Sequence, residues 1–261
     1  MPQRADKSDV LHEPAALDWR NGPGAPGTPL SAALTMRRQF HTKRIVARTV
    51  LVLLLLPLVP ILLFRFFPVP LTPLMVIRVL QGYGLHHDWV AYDRIAPALP
   101  HAVVASEDNF FCREPLGFDR NALLEQIDIW WQGDRPTGAS TITMQTARNL
   151  LLWPGRDILR KAIEAWLTVP IAVLWPKQRI LEVYLNSVEF GPGVYGAEAA
   201  ALHYFHRHAA ELTDEEAARL AVVLPDPLEW SAARSDPYLR ERAGIIRRRV
   251  AQIGPLLDCT N

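Results

Sequence analysis

Every residue from Val50 to Phe64 is apolar or proline, and no charge interrupts the chain between Arg48 and Arg65. The run reaches about 20 residues if Arg65 carries its charge to the interface and Phe66 to Val69 are included. Only a helix lets one such segment satisfy its own backbone inside hydrocarbon. Arg37, Arg38, Lys43, Arg44 and Arg48 all lie on its N-terminal side. By the positive-inside rule that side stays in the cytoplasm and everything after the run is exported. A cleaved signal peptide would need a much shorter basic region and a small-residue cleavage pattern, neither of which is present. A buried soluble helix fits poorly with Pro57, Pro60 and basic residues at both ends. The sequence therefore predicts one transmembrane anchor over residues 45–68, with an exported domain behind it.

Ahead of the anchor, residues 1–36 centre on "NGPGAPGTPLSAA" and lack apolar periodicity, which predicts a disordered cytoplasmic tail. Past residue 90 the spacing is helical in "DRNALLEQIDIWWQ", "RDILRKAIEAWLTVPIAVLW", "KQRILEVYLN", "GAEAAALHYF" and "TDEEAARLAVVLP". No alternating run is long enough for a major sheet, so the exported part is expected to be mainly α. A formal net charge of +1 argues against nucleic acid as a partner. Cys112 and Cys259 are too few for a disulfide framework and lack metal-ligand spacing; free thiols are expected, with a single bridge as the alternative.

Four polar constellations punctuate the helices. In "AVVASEDNFFCREPLGFD", Glu107 and Asp108 end an apolar segment and Phe111 follows. They read either as caps or as a general acid or base tuned by apolar surroundings. In "RPTGASTITMQTARNLLLW", Gly138 and Ala139 allow close backbone approach, Ser140, Thr141 and Thr143 bring hydroxyls, and Gln145 and Arg148 follow at helical spacing. This is an anion site at a helix start, or an ordinary Ser/Thr cap. In "GRDILRKAIEAWL", Arg160 and Lys161 share a helix face with Glu164, as a solvated ion pair or as a carboxylate held among cations that bind phosphate. In "KQRILEVYLNSVEFGPGVYG", Tyr184 is expected in the core, as is Tyr204 further on, while Glu182 and Asn186 are either structural or substrate-facing.

Taken in order, "EDNFF…GFD", "GASTITMQTARNL", "RKAIE", "KQRILEVYLN" and "GPGVYGAEAAALHYF" resemble the five motifs of the glycosyltransferase family 51 domain. More closely, the chain resembles the monofunctional biosynthetic peptidoglycan transglycosylases, over about residues 70–240. The resemblance implies a lysozyme-like α-helical domain, here residues 70–255, which polymerises lipid II into β-1,4-linked glycan and releases undecaprenyl pyrophosphate. By position, Glu107 is then the base that deprotonates the acceptor 4-hydroxyl. Glu164, with Arg160 and Lys161, lies by the pyrophosphate and a divalent metal, Mg or Mn. Ser140, Thr141, Gln145 and Arg148 line the donor phosphate site, and Asp108, Phe111, Glu182 and Asn186 complete the substrate-binding set. Asp108 orders the loop rather than reacting. Implied partners are lipid II, the growing strand, membrane lipid and other wall-synthesis and division proteins. The implied location is the inner membrane, single-pass, with a periplasmic catalytic domain. No transpeptidase domain follows, so a monofunctional enzyme is expected.

The first motif departs from the family pattern: "CREPLGFD" has Glu114 where a His is usual, and an extra residue before Gly117. Ala139 and Met144 stand where Gly and Gln are usual. Rival readings are a glycan-cleaving enzyme of the same fold, a non-catalytic scaffold of the wall-synthesis complex, and a membrane-anchored binding module.

Overall fold

In the computed structural model, residues 29–134, 140–155, 157–234 and 236–260 are described. Gly138 and Ala139 and most of the expected tail lie outside them. The first helix, α1, is Pro29–Leu55, so helix begins within the segment read as tail. The reason is local: Pro suits the first helical turn, and the Leu, Ala, Met and Arg residues after it are good helix formers. After Pro57, which has no N–H to give, α2 runs Leu58–Phe64. The stretch His41–Phe64 is 24 residues long and apolar enough to cross a membrane.

The chain divides into two compact units, Met1–Leu54 and Leu55–Asn261. The second unit is mainly α-helical, as expected. It contains α2, then α3 (Pro73–Leu80), strand β1 (His86–His87), α4 (Ala98–Glu107), α5 (Arg120–Trp131), α6 (Ile142–Leu151), α7 (Ile158–Leu174) and α8 (Lys177–Ser187). Strands β2 (Glu189–Gly191) and β3 (Val194–Tyr195) follow, then α9 (Ala197–Phe205), α10 (Asp214–Val223) and α11 (Pro237–Ile253). The small sheet has the order β1-β3-β2, parallel then antiparallel.

This unit is wider at both ends than residues 70–255. At its start, Ile61 is fully buried, its carbonyl accepts from Trp175 Nε1 at 2.8 Å, and the Phe64 carbonyl accepts from Arg179. The last turn of the apolar run is thus part of the folded domain. At its other end, Leu257 and Thr260 are buried and Tyr92 donates to the Thr260 carbonyl at 2.7 Å.

Free cysteines were the wrong expectation: Cys112 and Cys259 form a disulfide, with Cα atoms 5.5 Å apart. The pairing spans 147 residues, a distance over which spacing carries no information. It arises because the 3₁₀ turn Asp258–Thr260 packs on the 3₁₀ turn Phe111–Arg113, where Arg113 also meets Asp258 at 3.2 Å.

The core forms two groups of helices that set up the site. In one, α4 lies against α10 and α11, burying Leu99, Val103 and Val104 beside Leu220, Val223 and Ile246. In the other, α6 packs on α7 and α8, burying Ile142, Ala147, Leu167, Ile171, Ile180 and Leu181.

Candidate active site

Glu107 is the last residue of α4, and the helix before it is held by wholly buried Val103, Val104 and Ala105. The carboxylate therefore emerges from a rigid support. Its Oε2 accepts from Gln145 Nε2 at 3.0 Å and its Oε1 from Ser106 Oγ at 3.2 Å. Gln145 is itself oriented, since its Oε1 accepts from the Tyr184 hydroxyl at 3.0 Å. Burial, with Glu107 adding to it, raises the Tyr184 phenol well above its ordinary range, so it stays a donor.

Asp108 caps the neighbouring helix. Its Oδ2 accepts from Ile142 N, the first residue of α6, at 2.9 Å. Thr141 completes the helix start: its hydroxyl accepts from Met144 N at 3.2 Å and donates to the Gly117 carbonyl at 2.7 Å. The capping reading of the second constellation is therefore met, and the capped helix start also lines a cleft. Ser106, Glu107, Phe110, Asp119, Ser140 and Thr141 surround a hollow of about 200 Å³. Beyond Gln145, a second hollow of about 250 Å³ is edged by Arg78, Arg148, Asn149 and Glu189. A larger cavity of about 810 Å³ between α4, α10 and α11 is lined by small apolar residues together with His101, Asp214, Arg247 and Arg248, and has none of the predicted site residues on its wall.

The cationic group connects to the same helix start. Lys161 Nζ donates to Ser140 Oγ at 2.8 Å and to Glu164 Oε1 at 2.7 Å, while Arg160 Nη1 meets Glu164 Oε2 at 2.7 Å. Glu164 and Arg160 are buried, but 43% of the Lys161 side chain is exposed. The solvated-pair reading fails for Glu164, which is a buried carboxylate with a cation on each oxygen. Among the described residues, no group of three or more His, Cys, Asp or Glu could hold a metal ion.

Of the predicted residues, Phe111, Asn186, Glu182, Arg160, Lys161 and Glu164 line neither hollow, the last three connecting to the first of them through Ser140. Phe111 is fully buried, with Lys177 Nζ 4.3 Å above its ring. Asn186 is fully buried and clamps the Val90 backbone, accepting from its N–H at 2.8 Å and donating to its carbonyl at 2.9 Å. Glu182 pairs with Arg179 at 2.9 Å, the residue that gathers the Phe64 and Phe67 carbonyls. For Asn186 and Glu182 the structural alternative is what the geometry supports.

Reading the sequence alone missed two features. Arg78 meets buried Glu189 at 3.2 Å, and Glu189 also accepts from the Tyr195 hydroxyl at 3.2 Å. A lone Glu in "NSVEFG" gave little signal, because its partner lies 111 positions away. The second is a buried acid pair. Glu114 is 3% exposed and faces Asp108, and none of the described groups donates a hydrogen bond to either of its carboxyl oxygens. Burial, reinforced by the Asp108 charge, pushes the Glu114 carboxyl up to about 8. Lys177, lowered by its own burial, lies alongside and donates to the Glu114 main-chain carbonyl at 2.8 Å.

A family described as "Transglycosylase" matches residues 75–251. A protein named biosynthetic peptidoglycan transglycosylase from Caulobacter vibrioides is 48% identical over 211 residues, covering 80% of this chain and 92% of that one. One of the same name from Marinomonas sp. is 47% identical over 202 residues, covering 77% and 88%. Another from Xanthomonas campestris pv. campestris is 41% identical over 238 residues, covering 88% and 96%.

Proposed function

Since this chain belongs to the transglycosylase family, we propose that it polymerises lipid II into peptidoglycan glycan strands, with Glu107 as the base. It is a glycosyltransferase of cell-wall synthesis, and its substrates are lipid II and the growing strand. The observation that carries the mechanism is the pairing of Glu107 with one end of α6 and of the Arg160–Lys161–Glu164 cluster with the adjoining Ser140. One helix start thus links a positioned carboxylate to fixed cations.

In the reaction, the Glu107 carboxylate takes the proton of the acceptor 4-hydroxyl as that oxygen attacks the anomeric carbon of the donor. The bond from that carbon to the pyrophosphate oxygen breaks, with inversion. Gln145 and Tyr184 hold Glu107 in place. Negative charge grows on the departing pyrophosphate, where half-exposed Lys161 and the Arg148 side chain offer cations. Glu164 keeps Arg160 and Lys161 in position. Both its oxygens are taken by those cations, so the residues present do not fit a metal ion held by the protein at Glu164.

The localisation proposed is single-pass in the inner membrane, with a cytoplasmic N-terminus and a periplasmic domain. Support comes from the basic residues before the apolar run and from the disulfide, a bond that is common in oxidising compartments and rare in the cytosol. A reporter that is active only outside the cytoplasm, fused after Asn261, is expected to be active. Cytoplasmic activity there would reverse the orientation.

The enzymatic test is incubation of the purified full chain with lipid II and, separately, with finished glycan. Strands should form from the first and no cleavage should occur in the second. Glu107→Gln should reduce polymerisation by about 10²-fold or more. Cleavage of finished glycan would favour the hydrolase reading, and a Glu107→Gln protein of normal rate would remove the proposed base.

A further inference from the structure

The acid pair beside the candidate base has no role in the reaction just described, yet its placement is unusual. Glu114 follows the 3₁₀ turn Phe111–Arg113, and its carboxyl is buried against Asp108 with no described donor on either oxygen. A buried carboxylate without donors is costly, whereas the neutral acid supplies its own O–H. The acceptor it faces is Asp108, whose other link is to the Ile142 N–H at the start of α6. α6 in turn carries Gln145, which holds Glu107. Three charged groups face Glu114: Asp108 at the end of α4, Asp119 ahead of α5 and Lys177 at the start of α8. Lys177 donates to the Glu114 main-chain carbonyl and lies over the Phe111 ring, and its charge favours the ionised form of both Glu114 and Asp108 but is outweighed by their burial.

We propose that Glu114 is a positioning residue which, as the neutral acid, donates a hydrogen bond to Asp108 and so holds the α4–α6 junction that aims Glu107. The role in the reaction rests on the transglycosylase reading; the proton itself does not. When Glu114 ionises, two buried carboxylates repel across the junction and the aim of Glu107 loosens. With a carboxyl pushed up to about 8, this happens just above neutrality. The sign for stability follows from the same raised value. Below the ordinary glutamate range the acid is neutral whether folded or unfolded. Above that range only the folded protein keeps the proton, so stability falls as pH rises toward about 8 and then levels off.

The test compares wild type, Glu114→Gln and Glu114→Ala as full chains in detergent, measuring lipid II polymerisation and Tm from about pH 5 to about pH 9.5. Gln keeps the shape and a donor for Asp108 at every pH. Wild type should lose about 10-fold in kcat between about pH 7 and about pH 9 relative to Glu114→Gln. Glu114→Gln should stay within about 3-fold of wild type at neutral pH, and Glu114→Ala should be slow throughout. The Tm of Glu114→Gln should gain on wild type as pH rises toward about 8. Parallel pH profiles of wild type and Gln, with a constant Tm difference, overturn the proposal. A wild type that makes no strands overturns the role in the reaction, and a Tm difference that still grows with pH marks that as a failure of the reaction reading.

Discussion

Tyr184 and Asn186 stand two positions apart on α8, and their polar atoms go to different partners. The Tyr184 hydroxyl reaches Gln145 beneath the candidate base, while Asn186 is consumed by the Val90 backbone near β1. Helical spacing correctly put Tyr184 in the core and left Asn186 open, because periodicity gives the face of a residue but not what meets its polar tip. Glu107, Gln145 and the Arg160–Lys161–Glu164 group were legible as residue types. The contact between Glu107 and Gln145, which lie 38 positions apart, was not. Tyr184→Phe tests this relay, since it removes one hydroxyl and leaves the packing. Losing that hydrogen bond frees the Gln145 amide to turn, and kcat should fall about 3–10-fold with KM little changed. Unchanged kcat would show that Gln145 needs no help in holding Glu107.

At the scale of elements, the helices were readable and the sheet was not. Apolar spacing and caps such as Asp119 and Thr213 mark their helices from local sequence alone. Strands of two or three residues give no alternation to detect, and β1 pairs with β3 across more than a hundred positions. The element that matters most for the site is the start of α6, fastened from outside by Asp108 and by the Gly117 carbonyl. Gly117 has φ of +76°, and a Cβ there would lie 2.8 Å from the methyls of both Thr143 and Thr168. Those threonines are fully buried and cannot yield. Gly117→Ala should therefore cost about 2–3 kcal/mol, from left-handed backbone strain and overpacking together. Chemical denaturation checks the size. Polymerisation should fall further than stability alone requires, because the displaced loop carries the Thr141 contact.

Across the whole molecule, the apolar run and the motif order are visible in the sequence, but the covalent closure of the domain is not. Cys112 and Cys259 meet only because the last turns return to the turn after Glu107 and Asp108. By loop entropy a bridge of 147 residues stabilises by up to about 5 kcal/mol, so Cys112→Ser should lower stability by about 2–5 kcal/mol. Equal melting of Cys112→Ser and wild type, under non-reducing conditions, would mean that the bridge merely records proximity. The bond also turns most of the domain into a ring. α5 through α11 lie between the two cysteines, so a protease that cuts the backbone once anywhere among them releases no fragment until a reductant is added. Only a cut on the N-terminal side of Cys112 can separate the ring from the apolar run in one stroke; falling after α4 that cut parts Glu107 from Gln145, and falling before α4 it releases the two together.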